Sequence, residues 1–254
     1  MKTCLCVGDS HARLFGTKPG GARFRYDRLS PTRLTGFNSA YILSIKGATA
    51  AGFRPKSGKL SSFTRTARAI KRTDPDLICF GFGQVDAEQS CYFMAIRDGL
   101  PLETAIQLKA QALRRYLRFC RRAANSRPFV IKGLNPVTLH DDGALHRMLL
   151  RTLPVALDLP RQTLADWLDR NAVTVESHRA INAAPASDLR KTAEALSFPY
   201  FDLRDETSME ERHGLAKPEF CGHARDVHLR CVPEIETRFA AALWTTAKAW
   251  QLVP

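Results

Sequence analysis

The fold is set by the stretch Thr3-Cys-Leu-Cys-Val-Gly-Asp-Ser-His11, close to the start of the sequence. Residues 3–7 form a short apolar run that is typical of a buried parallel strand, and Gly8 begins a turn. Ser10 is therefore expected at the carboxyl edge of a sheet, where backbone N–H groups at the start of the next element can stabilise an oxyanion. The same residues also suit a turn or a helix cap, because Asp and Ser are common at both.

Further apolar runs predict the remaining strands. Four of them follow along the chain: Tyr41–Ile45, Asp76–Gly83, Pro128–Leu134 and Pro199–Leu203. Helical periodicity fills the gaps between these runs. It predicts helices over residues 102–123, over 161–196 with an interruption near Ala184-Pro185, and over 233–249 with Pro233 in the first turn.

Strands that alternate with helices imply βαβ units. We expect an α/β fold of three layers, in which a doubly wound, mostly parallel, five-stranded sheet lies between helices. The pattern favours a single domain over residues 1–254, with irregular insertions at about 16–40 and 135–160. Because loops beyond the carboxyl ends of the strands build the site in such sheets, the first insertion is a candidate substrate-facing loop.

The composition is that of an ordinary globular chain. The 254 residues are 44% hydrophobic and 25% charged, which is enough to bury a core without disulfides or metal. No apolar run approaches the roughly 20 residues that cross a bilayer, and residues 4–7 are too few for the apolar core of a signal peptide. We therefore expect a cytoplasmic protein without a transmembrane segment, in which the seven cysteines are reduced and mostly buried.

One cluster of histidines and cysteines consists of residue types that bind zinc. Within nineteen residues the chain has His213, Cys221, His223, His228 and Cys231. Their spacing matches neither a zinc finger nor a zinc ribbon. We therefore expect no metal site and no other cofactor.

Positive charge is concentrated at the N-terminal end. Residues 1–75 carry 15 Lys and Arg against three Asp, whereas the remaining 179 residues carry 23 against 22 acidic residues. This asymmetry favours an anionic partner. In the first insertion, Arg23, Arg25 and Arg28 are candidate contacts for an anionic substrate, and a solvated basic surface is the alternative. Specific nucleic-acid binding is not expected, because the sequence has no helix-turn-helix, zinc-finger or RNA-binding-sheet motif.

A second group with catalytic chemistry lies near the other end of the chain, at Asp226-Val-His228. Histidine can accept the proton of a serine hydroxyl at neutral pH, and a carboxylate can orient and stabilise the resulting imidazolium. Together with Ser10, these residues supply the three side-chain types of a catalytic triad. Taken alone, His228 is equally well explained as a core or capping residue.

Four motifs in order resemble the SGNH/GDSL hydrolase superfamily, in particular its branch that begins Gly-Asp-Ser-His. Gly8-Asp-Ser-His11 resembles the nucleophile block, and Lys46-Gly-Ala-Thr-Ala50 follows the second strand, where the family has its oxyanion glycine. Gly83-Gln-Val-Asp86 stands where the family has Gly-x-Asn-Asp or Gly-Glu-Ile-Asp. Gly214-Leu215 and residues 226–229 resemble the final acid and histidine block. The likeness covers most of the chain and implies the flavodoxin-like SGNH hydrolase fold.

This resemblance implies a role for each matching residue. Ser10 would be the nucleophile, His228 the general base and then the general acid, and Asp226 the orienting carboxylate. The backbone amides of Ser10 and Gly47 would be the oxyanion donors. Gln84 is a candidate third donor in place of the family's asparagine, and a turn residue is the alternative reading of its position.

The acid block departs from the family pattern. The family's acid normally stands three residues before the histidine, but Arg225 holds that place and Asp226 stands two residues before. Other groups that could orient His228 are Asp202, Asp205 and a backbone carbonyl. The acid of the triad is therefore left open by the sequence.

The activity implied is that of an acyl or acetyl esterase that works through a serine acyl-enzyme. The expected substrate is an O-acylated carbohydrate or lipid, with anionic character favoured by the basic N-terminal end and with His11 lining its pocket. Asp9 and Asp86 are expected to have structural roles. Two alternatives stay open: an O-acyltransferase that uses the same serine, and a catalytically impaired module that binds polyanions.

Overall fold

The first strand lies at the centre of a six-stranded sheet. The computed structural model describes residues 2–15, 25–55, 61–222, 227–230 and 232–253. The strands are β1 (Thr3–Gly8), β2 (Leu29–Thr32), β3 (Ser39–Ser44), β4 (Leu77–Gly81), β5 (Phe129–Lys132) and β6 (Tyr200–Phe201). In the described part of the chain they are ordered β2-β3-β1-β4-β5-β6.

Five of these strands are parallel, and β2 runs antiparallel along β3 at one edge. The α/β class and the mostly parallel sheet are therefore confirmed, but the sheet has six strands rather than five. The sequence of β2, Leu-Ser-Pro-Thr, contains a proline and two hydroxyl residues and so gives no apolar run. An edge strand tolerates proline because one side of its ladder is unpaired.

Helices cover both faces of the sheet. Among the described residues they are α1 (Ser62–Thr73), α2 (Cys91–Asp98), α3 (Leu102–Ala124), α4 (Asp142–Leu157), α5 (Arg161–Arg170), α6 (Val175–Ala195), α7 (Arg204–Thr207) and α8 (Pro233–Ala249). Two 3₁₀ turns, Ser10–Phe15 and Pro218–Phe220, and one π turn, Asp86–Ser90, add short pieces. The helices predicted over 102–123 and 233–249 are confirmed as α3 and α8.

The interruption expected near Ala184-Pro185 is wrong. Helix α6 runs through Pro185, and the chain leaves helical structure at residues 171–174 instead. Pro185 is buried together with Ile181 and Leu189. The burial of this side of α6 offsets the hydrogen bond that an internal proline removes.

The irregular insertion expected at 135–160 is also wrong in its centre, where α4 forms. The Asp141 side chain caps this helix by accepting a hydrogen bond from the Ala144 amide at 2.7 Å. The helix buries a stripe of side chains that includes Leu145 and Leu149. The sequence pattern does not predict it because Pro154 lies in its last turns. Of the other insertion, residues 16–24 lie outside the described residues and residues 29–32 form β2.

The core has one layer on each face of the sheet, because each strand contributes side chains to both faces, and a third cluster lies among α2, α4, α5 and α6. From β1, Leu5 and Val7 join the cluster under α1, α3 and α6, while Cys4 and Cys6 join the cluster under α8. The second cluster also contains Phe15, stacked 4.4 Å from the ring of a phenylalanine of α8. The six described cysteines are free thiols, five of them buried. No helix in the described ranges is both long and apolar enough to cross a membrane.

The topology places the switch point of the strand order at the end of β1. The order of the strands reverses at β1, because the chain goes first to its β3 side and then to its β4 side. In open α/β sheets, ligands bind at such a switch point, beyond the carboxyl ends of the strands. The residues that follow Gly8 are therefore at the position where a site is expected.

Replacing Gly8 by alanine is expected to destabilise the sheet. A Cβ atom there would lie 2.4 Å from the carbonyl oxygen of Gly81 in the neighbouring strand. We expect Gly8→Ala to lower the free energy of unfolding by about 2 kcal/mol or more, measured by urea denaturation with circular dichroism. The control is Gly143→Ala in α4, where the nearest atom is the flexible end of Arg147 and where alanine favours the helix. A Gly8→Ala protein as stable as this control would contradict the packing.

Candidate active site

Ser10 and His228 meet at the carboxyl edge of the sheet. Ser10 opens the 3₁₀ turn that follows β1, and its side chain is largely buried, with 9% of the residue exposed. The Nε2 atom of His228 lies 2.8 Å from the Ser10 Oγ atom, although the two residues are 218 positions apart. This is the distance of a hydrogen bond between a hydroxyl and an imidazole nitrogen.

The segment that carries His228 is anchored immediately after the ring. Leu229 is buried and forms an antiparallel bridge with Cys221. The Arg230 amide donates a hydrogen bond of 2.8 Å to the Phe220 carbonyl. These contacts fix the chain immediately after the histidine and hold its ring over the nucleophile turn.

A second histidine, His11, packs against the first. Its ring stacks on the ring of His228 with 4.3 Å between the centroids and 28° between the planes. Its Nδ1 atom lies 3.0 Å from the Asp9 Oδ1 atom, and its Nε2 atom lies 3.3 Å from the Val227 carbonyl oxygen. The same Nε2 atom is 3.5 Å from a carboxylate oxygen of Glu88.

The neighbouring carboxylates decide the protonation of His11. Burial alone would lower its pKa, but the negative charges of Glu88 and Asp9, together with their hydrogen bonds, raise the pKa of His11 to about 10. Burial opposes ionisation of Asp9 as well. The hydrogen bond and positive charge of His11 nevertheless hold the pKa of Asp9 below its usual value. At neutral pH these groups form a buried ion pair.

The loop after β4 adds a network of buried hydrogen bonds. The Gln84 amide N–H donates to Asp9 Oδ2 at 3.2 Å. The Gln84 side chain donates to Glu88 at 2.7 Å and to the Asn135 carbonyl at 3.3 Å, and it accepts from the Asn135 amide at 2.7 Å. The hydrogens of the Gln84 carboxamide are thus directed at protein acceptors that join the loops after β4 and β5.

Lys132, at the end of β5, supports the same network. Its Nζ atom donates to the side-chain oxygen of Asn135 at 2.6 Å and to the Gly133 carbonyl at 2.7 Å. Burial lowers the pKa of Lys132 to about 8. Since Asn135 receives hydrogen bonds from β5 and from Gln84, its loop is held close to the nucleophile turn.

The turn after β3 lies beside the nucleophile turn. The Ile45 amide donates to the Gly8 carbonyl at 2.9 Å, and the Ser44 hydroxyl donates to the Asp9 carbonyl at 3.0 Å. Gly47 follows in this turn, exposed and with a φ of 68°, a conformation that glycine adopts without strain. The turn is tied to the β4 loop by Asp86, whose carboxylate accepts a hydrogen bond of 2.5 Å from the Ala50 amide.

Asp86 is buried beneath this turn. Burial raises the pKa of Asp86, although the positive charge of Lys109, whose Nζ atom is 3.6 Å away, opposes the rise. Its hydrogen bond to the β3 turn and its burial fit the structural role expected for it. The hydrogen bonds of Asp9 to His11 and Gln84 fit the same expectation.

The remaining residues singled out in the sequence fall into three groups. Asp226 and Arg23 lie outside the described residues, and Arg25 and Arg28 are exposed. Of the two alternative acids, Asp202 accepts hydrogen bonds from Arg190, Tyr200 and the Arg204 amide, and Asp205 pairs with His213.

The cluster of histidines and cysteines does not converge within the described part of the chain. His213 contacts Asp205, Cys221 contacts His140 at 3.3 Å, and His228 contacts Ser10. His223 and Cys231 lie outside the described residues. The described residues contain no group of three or more His, Cys, Asp or Glu that could hold a metal ion.

The comparison with known families agrees with the geometry. Residues 5–226 match the model of the GDSL-like lipases and acylhydrolases. The chain belongs to the GDSL-like lipase/acylhydrolase family. It is therefore an ester-bond hydrolase of the SGNH type, and the resemblance seen in the four motifs is confirmed. A search of curated protein sequences finds no significant match.

Solved structures share the fold at low sequence identity. A carbohydrate acetylesterase from Sinorhizobium meliloti aligns over 100% of both chains with a TM-score of 0.52 and 14% identity. A GDSL-like lipase from Bacteroides thetaiotaomicron covers 98% of this chain and 89% of its own, with a TM-score of 0.51 and 12% identity. A lipase/acylhydrolase from Enterococcus faecalis covers 98% and 97%, with a TM-score of 0.51 and 12% identity. At this identity they support the fold alone.

Sequence reasoning missed two residues of this site. Glu88 lies in the π turn after β4 and reaches both His11 and Gln84. Asn135 follows β5 and joins the Gln84 loop to Lys132. Short π segments often occur at functional sites, but the sequence pattern does not reveal them. The Asn-Pro step after β5 is the one signal that could have indicated a fixed loop there.

Removing the charge of Asp9 is expected to destabilise the protein. In Asp9→Asn, an amide N–H₂ would face groups that now donate to the carboxylate, and the buried His11 would lose its nearest counter-charge. We expect the free energy of unfolding to fall by about 3 kcal/mol, measured by urea denaturation at pH 7. The control is Asp27→Asn, which removes an exposed ion pair with Arg65 and should cost less than about 1 kcal/mol. Equal stability of the two variants would refute the buried ion pair.

Proposed function

We propose that Ser10 and His228 carry out serine esterase chemistry in this hydrolase. The observation that carries the proposal is the distance of 2.8 Å between the Ser10 Oγ and His228 Nε2 atoms. A serine within hydrogen-bonding distance of an imidazole at the carboxyl edge of a parallel sheet is the arrangement that nucleophilic acyl transfer needs.

The reaction proceeds in two halves. His228 takes the Ser10 hydroxyl proton while the Ser10 oxygen attacks the ester carbonyl carbon, and the tetrahedral oxyanion collapses as His228 returns the proton to the leaving alcohol oxygen. The product of this half is a Ser10 ester. Water then loses a proton to His228 and attacks that ester, and the acid is released as Ser10 regains its proton.

The oxyanion site in this proposal is built from backbone amides of neighbouring turns. The Ser10 amide belongs to the 3₁₀ turn, and the Gly47 amide belongs to the turn that is hydrogen-bonded to Gly8 and Asp9. Gln84 acts here by holding the loops together, because its carboxamide hydrogens are directed at Glu88 and Asn135.

Asp226 is the orienting carboxylate in this proposal. The family resemblance and its place two residues before His228 support the assignment. Asp202 and Asp205 are instead hydrogen-bonded to basic residues of α6, α7 and the following turn, so they are less suited to orient His228. An imidazole that is oriented by a carboxylate presents the correct tautomer to the serine.

The substrate that we propose is an anionic O-acylated carbohydrate or lipid. Tyr26 lies between two cations beside the site: Arg13 Nη1 donates to its hydroxyl at 2.7 Å, and Lys46 Nζ is 5.8 Å from the centre of its ring. Arg13 is in the nucleophile turn, and Lys46 adjoins Gly47. With the exposed Arg25 and Arg28, these cations favour a negatively charged ligand. The carbohydrate acetylesterase with the same fold supports an acetylated sugar.

The nucleophile and base are tested with p-nitrophenyl acetate. We expect Ser10→Ala and His228→Ala to lower kcat/KM by about 10³-fold or more, and Asp226→Ala to lower it by a smaller factor. Stoichiometric labelling by a fluorophosphonate should require Ser10. The matched control is Ser187→Ala, at an exposed position on α6, which should keep wild-type activity. Unchanged turnover or labelling in Ser10→Ala would exclude this chemistry, and transfer of the acetyl group to an added glycan without hydrolysis would indicate an acyltransferase.

The charge preference is tested with a neutral and an anionic ester of the same acid, phenyl acetate and 4-acetoxybenzoate. In the triple variant Arg25→Gln, Arg28→Gln, Lys46→Gln, we expect the KM for the anionic ester to rise about tenfold, since three surface charges contribute roughly 1.4 kcal/mol. The KM for the neutral ester should stay within about twofold. The control removes the same number of charges from α3, by changing Arg114, Arg118 and Arg122 to Gln. If both triple variants behave alike, the anionic preference is wrong.

A further inference from the structure

Both ring nitrogens of His11 face only acceptors. The Nδ1 atom faces a carboxylate oxygen of Asp9, and the Nε2 atom faces the Val227 carbonyl oxygen and a carboxylate oxygen of Glu88. A neutral imidazole would direct one lone pair at an acceptor. Because the residue is 4% exposed, water cannot relieve that repulsion. With oxygen acceptors beside both nitrogens, the geometry favours a hydrogen on each of them, which makes His11 an imidazolium.

The groups around this cation come from four segments. Asp9 belongs to the same turn, Glu88 to the π turn after β4, and Lys132 to β5, whose positive charge acts on Asp9. The fourth segment supplies Val227 and His228. Asp9, His11 and Glu88 together carry one net negative charge, but the ring in contact with His228 is the positive member.

Two contacts couple His11 to the proposed base. The rings stack at 4.3 Å, and the Nε2 atom of His11 holds the carbonyl of Val227, the residue immediately before His228. The first contact fixes the plane of the base, and the second fixes the backbone that carries it. Ser10, the proton donor to the base, adjoins His11 in sequence, so that one turn places both the nucleophile and the cation.

We propose that His11 is a positioning residue that acts through His228, holding the base over Ser10 and opposing a second positive charge on it. This inference rests on the proposed esterase function. A positive charge stacked against a neighbouring imidazole opposes a second positive charge on that ring by Coulomb repulsion, so the charge at position 11 acts on the proton that His228 takes from Ser10.

The test is the pH profile of kcat/KM for p-nitrophenyl acetate, whose acid limb reports the free enzyme's base. In His11→Gln, Asp9 and Glu88 lose their counter-charge, so we expect the acid limb to move up by about one pH unit. In Glu88→Gln, one negative charge is removed and the cation stays, so the limb should move down. His146→Gln is the control, since this histidine contacts the Val173 carbonyl in the helical region and should leave the limb unchanged.

Opposite shifts separate this electrostatic role from damage to packing. Damage would lower the plateau of both variants and leave the limb in place, and that result would overturn the proposal. If His11→Gln does not fold, the downward shift in Glu88→Gln decides by itself. Neutral glutamine at position 11 should also lower the plateau less than tenfold, since Ser10 and His228 remain.

A second measurement does not depend on turnover. The midpoint of the His228 titration, followed by NMR in the same variants, should move up in His11→Gln and down in Glu88→Gln, and ¹⁵N shifts should show both His11 nitrogens protonated from pH 5 to 8. A neutral His11 ring at pH 7 would overturn the inference. Absence of Ser10-dependent turnover in the wild type, with these shifts present, would instead count against the proposed esterase function.

Discussion

The site depends on one hydrogen bond between the two ends of the chain, from Ser10 to His228. Neither side chain holds the other in place by its own strength, because a single hydrogen bond contributes only about 1 kcal/mol. Ser10 is placed by β1, the central and fully paired strand, and His228 is placed by buried Leu229 and its bridge to Cys221. The fold thus sets the positions of Ser10 and His228, and their hydrogen bond is a consequence of that placement.

Beneath this bond lies a group of buried charges that a core alone does not need. Asp9, His11 and Glu88 are each nearly inaccessible to water, and Lys132 lies close by. Burying such charges is costly, and well-packed apolar residues often stabilise a core equally well. What the charges provide is orientation, because each ring nitrogen and each carboxylate has a partner at a fixed place. Fixed orientation is what a base and a nucleophile require of their surroundings.

The sequence predicted the parts of the molecule that follow from local pattern. Local residues are enough to predict the central strand, helices α3 and α8, and each of the four motifs. Strand β2 was not predictable because pairing with β3, rather than an apolar run, holds it in the sheet. Helix α6 continues through Pro185 because tertiary packing outweighs the local preference of proline.

Within the site, the sequence indicated residue types but not their relations. Ser10 and His228 were predicted because their chemistry is recognisable from motifs. The contacts of His11 were not, since they join the nucleophile turn, the π turn and the C-terminal loop, and only the folded chain brings those segments together. Gln84 shows the reverse case: its position suggested an oxyanion donor, and its hydrogen bonds to Glu88 and Asn135 became visible only in three dimensions.

Trapping the covalent acyl-enzyme is the most direct test of Ser10 as the nucleophile. Enzyme quenched in acid during steady-state turnover of p-nitrophenyl acetate can be digested and mapped by mass spectrometry. We expect an acetyl group on the peptide that contains Ser10, and fragmentation should place it on that serine. An acetyl group on another residue, or hydrolysis that leaves every peptide unmodified under the same quench, would contradict the nucleophile on which the mechanism depends.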